Sequence, residues 1–219
     1  MPPPVLEDLP HVRRNATGDP VGALVLLHGP GAGEQDVAAL IDILDPGKRL
    51  AAACPRGAIQ IPNTGGSQWY VDREPGYPNA PTFEGSYTVL DQWLGLLAEA
   101  TGVPPERTII GGFSQGATMA WALALAAGRP RCGGVIALSG FIPRVADLEL
   151  DMTKLAGLPV AICHGEHDDR IPVGHGRGAR DRAQEAGADV SYRETDVAHN
   201  VDLRVVPDLV AWVGQRFTT

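Results

Sequence analysis

Apolar residues follow two rhythms along this chain. Residues 21–27, 133–139 and 158–164 are short, mainly apolar runs without alternation, the pattern of strands buried on both faces of a parallel sheet. Residues 48–54 read as another strand, stopped by Pro55, and Thr108-Ile109-Ile110 is a short β-branched run. Between these the period lengthens. Val37, Leu40, Ile41 and Leu44 recur at helical spacing, as do Leu90, Trp93, Leu94, Leu97 and Ala100 within 84–101, where Gly102 ends the helix. Residues 117–127 carry Ala, Leu and Met with no breaker. Residues 174–187 predict a helix whose start is poor by propensity because of Gly174, Gly176 and Gly178. Residues 190–195 alternate as a strand near a sheet edge does. Leu203, Val206, Leu209, Val210 and Val213 outline a closing helix, with Pro207 in its first turn or at a break. Strand and helix alternate throughout, which predicts an α/β domain with a mostly parallel sheet.

A single domain over 1–219 is expected, with 1–20 as a proline-rich polar extension holding at most a short edge strand at 11–14. Residues 55–83 read as one long loop, punctuated by prolines and glycines around Trp69 and Tyr70. Loops of that length in a compact domain are usually functional, so the pair is expected to form an active-site wall; the alternative is a surface excursion whose Trp69 plugs the core. A second irregular stretch, 141–155, begins at Phe141 and is expected to cover part of the site and bring Phe141 to the substrate.

Charge and cysteine content narrow the function class. Acidic residues outnumber basic ones by 26 to 18, a net charge of -8, and no basic cluster could track a phosphate backbone, so nucleic acid is not an expected partner. Cys54, Cys132 and Cys163 cannot all pair within the chain, which fits a reducing compartment. The first residues, Met-Pro-Pro-Pro-Val-Leu-Glu-Asp, have neither a basic nor a long apolar region, and no apolar run approaches the length of a membrane span. A soluble cytoplasmic protein with no stable membrane insertion is expected.

Gly112-Phe113-Ser114-Gln115-Gly116 joins the β-branched run to the Ala-rich helix and has the form of a nucleophile elbow. A turn that strains a serine leaves no room for side chains two positions away, hence glycine at both flanks. The serine then stands exposed at a strand end, above a helix N-terminus whose free N–H groups can hold a developing negative charge. Serine needs a base, and the base needs a group that fixes its tautomer. His199 lies between the last strand and the closing helix, on the side where the carboxyl ends of parallel strands gather. Of the acids after the 158–164 strand, Asp168 is favoured to orient it, with Asp169 and Glu166 as rivals. A metal reading of His164-x-x-His167 is disfavoured, because the pair sits in a loop rather than on one helical face. The order Ser114, Asp168, His199 is that of α/β-hydrolases.

Leu27-His28-Gly29, the 112–116 elbow, His164-Gly165-x-x-Asp168-x-x-Ile171-Pro172 and Ala198-His199 together resemble the phospholipase/carboxylesterase family of α/β-hydrolases, over about 21–212 and including Trp69-Tyr70. The resemblance implies an α/β-hydrolase fold with helices on both faces of the sheet and no large lid. It implies a cofactor-free, metal-free serine esterase for small-molecule carboxylic esters, with thioesters or lysophospholipids as substrates of some members. It makes Ser114 the nucleophile, His199 the base and Asp168 the orienting acid, and gives Gln115 one oxyanion N–H. The second donor of the family falls on Pro30, which has no N–H. Gly31 is the expected substitute, and the rival reading is a non-catalytic or weakly active binding protein with a damaged oxyanion hole.

Overall fold

The computed structural model describes residues 9–74 and 76–217; of the expected N-terminal extension, 1–8 lie outside the described residues. The chain runs β1 (His11–Arg14), β2 (Gly22–Leu27), α1 (Glu34–Leu44), β3 (Leu50–Pro55), β4 (Ile59–Gln60), β5 (Ser67–Gln68), β6 (Asp72–Glu74), β7 (Tyr77–Pro78) and α2 (Ala80–Thr101). It continues through β8 (Thr108–Phe113), α3 (Gln115–Leu125), β9 (Gly134–Leu138), β10 (Pro159–Gly165), α4 (Gly174–Glu185), β11 (Asp189–Thr195) and α5 (Val206–Gly214). Seven strands form one sheet in the order β1-β3-β2-β8-β9-β10-β11. Only β1, on the edge, is antiparallel to its neighbour.

Strand pleating explains why the central runs are apolar at every position. In β2, Leu24 and Leu26 face one core with Ile41 and Leu44 of α1 and Leu209 and Val213 of α5. Val25 and Leu27 face the other, with Leu90, Trp93 and Leu97 of α2 and the residues of α3. Each face is covered by helices, so no strand position is left for a polar residue. All of α3 is buried, which is why its sequence lacks an amphipathic stripe.

Two segments differ from expectation. Helix α2 begins at Ala80 rather than 84, because Asn79 caps it by accepting the Thr82 N–H at 3.3 Å and Pro81 occupies the first turn, where its missing N–H costs nothing. The 55–83 segment is not one loop: β4 pairs with β5 and β6 with β7 in two small antiparallel ladders. Among the described residues no helix is long and apolar enough to cross a membrane.

Candidate active site

Ser114 is the single residue between β8 and α3, and it turns the chain with φ 56° and ψ -119°. A side chain at Gly112 would stand 2.5 Å from the Leu27 carbonyl oxygen, and one at Gly116 would stand 2.1 Å from it, so the predicted crowding is met on both flanks. The Ser114 N–H donates to Leu138 O at 2.8 Å, and its carbonyl accepts from the Thr118 N–H at 3.1 Å, which pins the strained residue from both sides. A non-glycine residue with positive φ costs on the order of 1–3 kcal/mol. The serine is only 5 % exposed rather than open at the strand end as expected. The His199 ring lies within hydrogen-bonding distance of its hydroxyl.

The residues that sequence places 85 positions apart meet directly. His199 Nε2 is 2.9 Å from Ser114 Oγ, and His199 Nδ1 is 2.7 Å from Asp168 Oδ2. Asp168 follows β10 in a tight turn, where its Oδ1 accepts the N–H groups of Arg170 at 3.0 Å and Ile171 at 2.8 Å. Burial alone would raise its carboxyl, but the His199 hydrogen bond, aided by these two N–H groups, outweighs that and holds it below the ordinary carboxylate value. Glu166 and Asp169, the rivals, are both exposed. The spaced histidines part company: His164 is buried with Nε2 2.8 Å from Ile171 O, whereas His167 is exposed and pairs with Asp196 at 2.7 Å.

Gln115 opens α3, where a first-turn N–H has no partner within the helix. Its side chain is turned away from Ser114: Oε1 accepts the Trp69 N–H at 3.0 Å, and Nε2 donates to Tyr70 O and Asp72 Oδ2, both at 2.9 Å. Gly31 does not serve as expected. Its N–H donates to Ser67 O at 2.9 Å, drawn there by the antiparallel bridge between Ala32 and Ser67, so neither Pro30 nor Gly31 has an amide to offer an oxyanion. We therefore expect Pro30→Leu, at an exposed position, to raise kcat on p-nitrophenyl butyrate by more than about tenfold, since one such donor is worth roughly a hundred- to a thousand-fold. Unchanged kcat would mean that another group already fills the role.

Trp69 and Tyr70 are not a substrate wall. They are 0 % and 1 % exposed, because the indole packs on His28 and the phenol on Phe83. The indole N–H donates to His28 O at 2.8 Å, tying this segment to the loop beside Ser114. Trp69→Phe would strand that buried carbonyl and is expected to cost about 1–3 kcal/mol in urea unfolding, with no cost if the bond is dispensable. Phe141 does reach a hollow, with its ring 5.4 Å from that of His175.

His28 is a residue that sequence reasoning assigned no role. Its Nε2 accepts the Gly57 N–H at 2.8 Å, which leaves Nδ1 as the protonated nitrogen donating to Gly29 O at 2.7 Å. Burial lowers its pKa against the opposing pull of the Gly29 carbonyl, so it stays neutral and holds the peptide leading into Pro30. Its position at the end of β2, directly before Gly29, was the available signal. A cleft of about 450 Å³ opens beside the triad, lined by Pro30, Val37, Leu40, Arg170, His199 and Val201. A smaller cavity of about 130 Å³, lined by Asp91, Thr108 and Arg129, lies at the opposite end of β8 and touches no triad residue.

A buried carboxylate, an imidazole and a serine at a strand-to-helix elbow are what acyl transfer requires. The sequence model of the Phospholipase/Carboxylesterase family matches residues 14–213. The chain belongs to that family. It is 29 % identical over 161 residues to acyl-protein thioesterase 1 of Yarrowia lipolytica, covering 67 % of each chain. It is 25 % identical over 221 residues to the mouse lysophospholipase-like protein 1, covering 95 % of this chain and 92 % of that one. Alignments to further fungal acyl-protein thioesterases 1 take in between 40 % and 52 % of those proteins. The crystal structure of esterase PE8 superposes with a TM-score of 0.81 at 27 % identity, covering 95 % of this chain and 99 % of that one. Within this family the seven-stranded sheet and its triad give the α/β-hydrolase fold expected from sequence, with no large lid among the described residues.

Proposed function

We propose that the chain is a single-domain cytoplasmic serine hydrolase that cleaves small-molecule carboxylic esters, thioesters included, through an acyl-enzyme. The observation that carries this is the unbroken Asp168–His199–Ser114 relay, with contacts of 2.7 and 2.9 Å. Ser114 Oγ attacks the ester carbonyl as His199 Nε2 takes its proton, and Asp168 holds Nδ1–H and the resulting imidazolium. The Gln115 main-chain N–H supports the oxyanion. The leaving group departs with the proton from His199. Water, activated by the same imidazole, then attacks the acyl-enzyme and releases acid and free serine. Each proton moves among Ser114, His199, the substrate and the attacking water, so the route as written calls on no cofactor. Three unpaired cysteines support the cytoplasmic assignment.

The loss of the amides at Pro30 and Gly31 favours a second reading, a slow hydrolase or a binding protein that retains the triad. A fluorophosphonate probe with burst kinetics on a p-nitrophenyl ester separates the two. Labelling at Ser114 with a burst and steady turnover is expected. No labelling would overturn the hydrolase reading, and a burst without turnover would favour the binder.

A further inference from the structure

Helix α4 carries three arginines with different surroundings. Arg177 pairs with Glu194 and Arg180 with Asp181, whereas Arg182 forms no ion pair among the described residues. Its recorded polar contact is Nη2 to the Met152 sulfur at 3.8 Å. Beside it stands Arg144, from the loop after β9, also without an ion pair among the described residues. Burial, and then the nearby Arg144 charge, lower the Arg182 pKa. Acids exceed bases by eight in this chain, so the two arginines are not unpaired for want of carboxylates.

The pair lies where two hollows adjoin, one of about 270 Å³ and one of about 400 Å³. The first is walled by Phe141, His175 and the exposed Tyr77 of the β6–β7 hairpin. It is close to the nucleophile's own support. The Phe141 N–H is 3.5 Å from Thr118 Oγ1 in the first turn of α3, and Asp72 at the root of the hairpin holds Gln115. On the other side, Gly176 of α4 packs on the His164 ring, which stands 3.5 Å from Asp168. An aromatic hollow whose walls pack on residues that brace Ser114 and Asp168 thus leads to two cations that lack a counter-charge among the described residues.

We propose that Arg144 and Arg182 form a subsite for an anionic group on the substrate, remote from the scissile bond, so that the preferred esters carry a carboxylate or a phosphate. The proposal rests on the hydrolase reading and specifies its substrate class. Guanidinium groups match both anions, with two parallel N–H donors to two oxygens.

The test compares charged and neutral esters as pairs. Mono-p-nitrophenyl glutarate and adipate against p-nitrophenyl butyrate place the anion on the acyl side. A 1-acylglycerol 3-phosphate against the 1-acylglycerol places it on the alcohol side. In at least one pair kcat/KM is expected to favour the charged member, and Arg182→Gln or Arg144→Gln should lower that ratio by about tenfold, the worth of one charged hydrogen bond. Arg182→Lys should restore part of it, added salt should erode it, and Arg193→Gln, on the far-edge strand, should leave it alone. No preference for either charged member, or ratios unmoved by both glutamine variants, would overturn the subsite. Fluorophosphonate labelling of Ser114 reads the hydrolase assignment separately. Should labelling fail, titration calorimetry with glutarate and with inorganic phosphate reads the subsite alone, and heats unchanged by Arg182→Gln would overturn it.

Discussion

Ser114→Ala and His199→Ala are each expected to lower kcat by about a million-fold, and the double variant by no more than either alone. In a triad that acts as a unit, removing one member leaves the others nothing to do. The geometry gives this its force here. His199 Nε2 faces the serine hydroxyl at 2.9 Å, so without the serine the imidazole has no proton to take, and without the imidazole the hydroxyl stays protonated. Residual activity should come from the Gln115 N–H and from substrate binding. Initial rates with p-nitrophenyl butyrate measure the loss, and thermal melts establish that each variant is folded. A double variant whose loss approached the product of the two single losses would show that the residues act in separate mechanisms.

Asp168→Asn carries the next largest effect, on the order of ten-thousand-fold in kcat, because the amide presents the wrong hydrogen-bonding partner to His199 Nδ1. Asp169→Asn, at an exposed neighbour, should change kcat little. Equal losses would move the orienting role off Asp168. The same carboxylate has a signature in stability. Its folded-state pKa lies below the unfolded value of 3.8, so the stabilisation it supplies is fully present above that value and is lost as pH falls through the folded one. Urea unfolding should therefore find the penalty of Asp168→Asn largest near neutrality and shrinking as pH falls below about 4. A penalty that grew on acidification would reverse the sign argued here.

The parts of this molecule legible in its sequence are those governed by local sterics or by chain order. Gly112 and Gly116 announced the elbow because any side chain there would meet the Leu27 carbonyl. The order Ser114, Asp168, His199 follows from strands whose carboxyl ends lie side by side. The illegible parts depend on contacts between loops. Nothing near Gly31 indicates that its N–H is taken by Ser67, since the bond closes a gap of 36 residues between two segments with no periodicity. Trp69 and Tyr70 sit amid prolines and glycines and read as an active-site wall, with a core-plugging Trp69 as the alternative; burial of both in the core matches the alternative, a choice that prolines and glycines alone could not decide. Asn79 and Pro81 were a legible helix start, obscured because proline marks a first turn and a loop equally well.

The backbone of Ser114 bears on how such a chain would drift if its reaction were not needed. At φ 56° glycine is the comfortable occupant, and serine holds the place at a cost of roughly 1–3 kcal/mol. A molecule kept only for its shape would gain stability by giving up the hydroxyl, through a change as small as one base in a serine codon of the AGC or AGT type. Selection on folding alone would therefore push this position toward glycine and the loss of the hydroxyl.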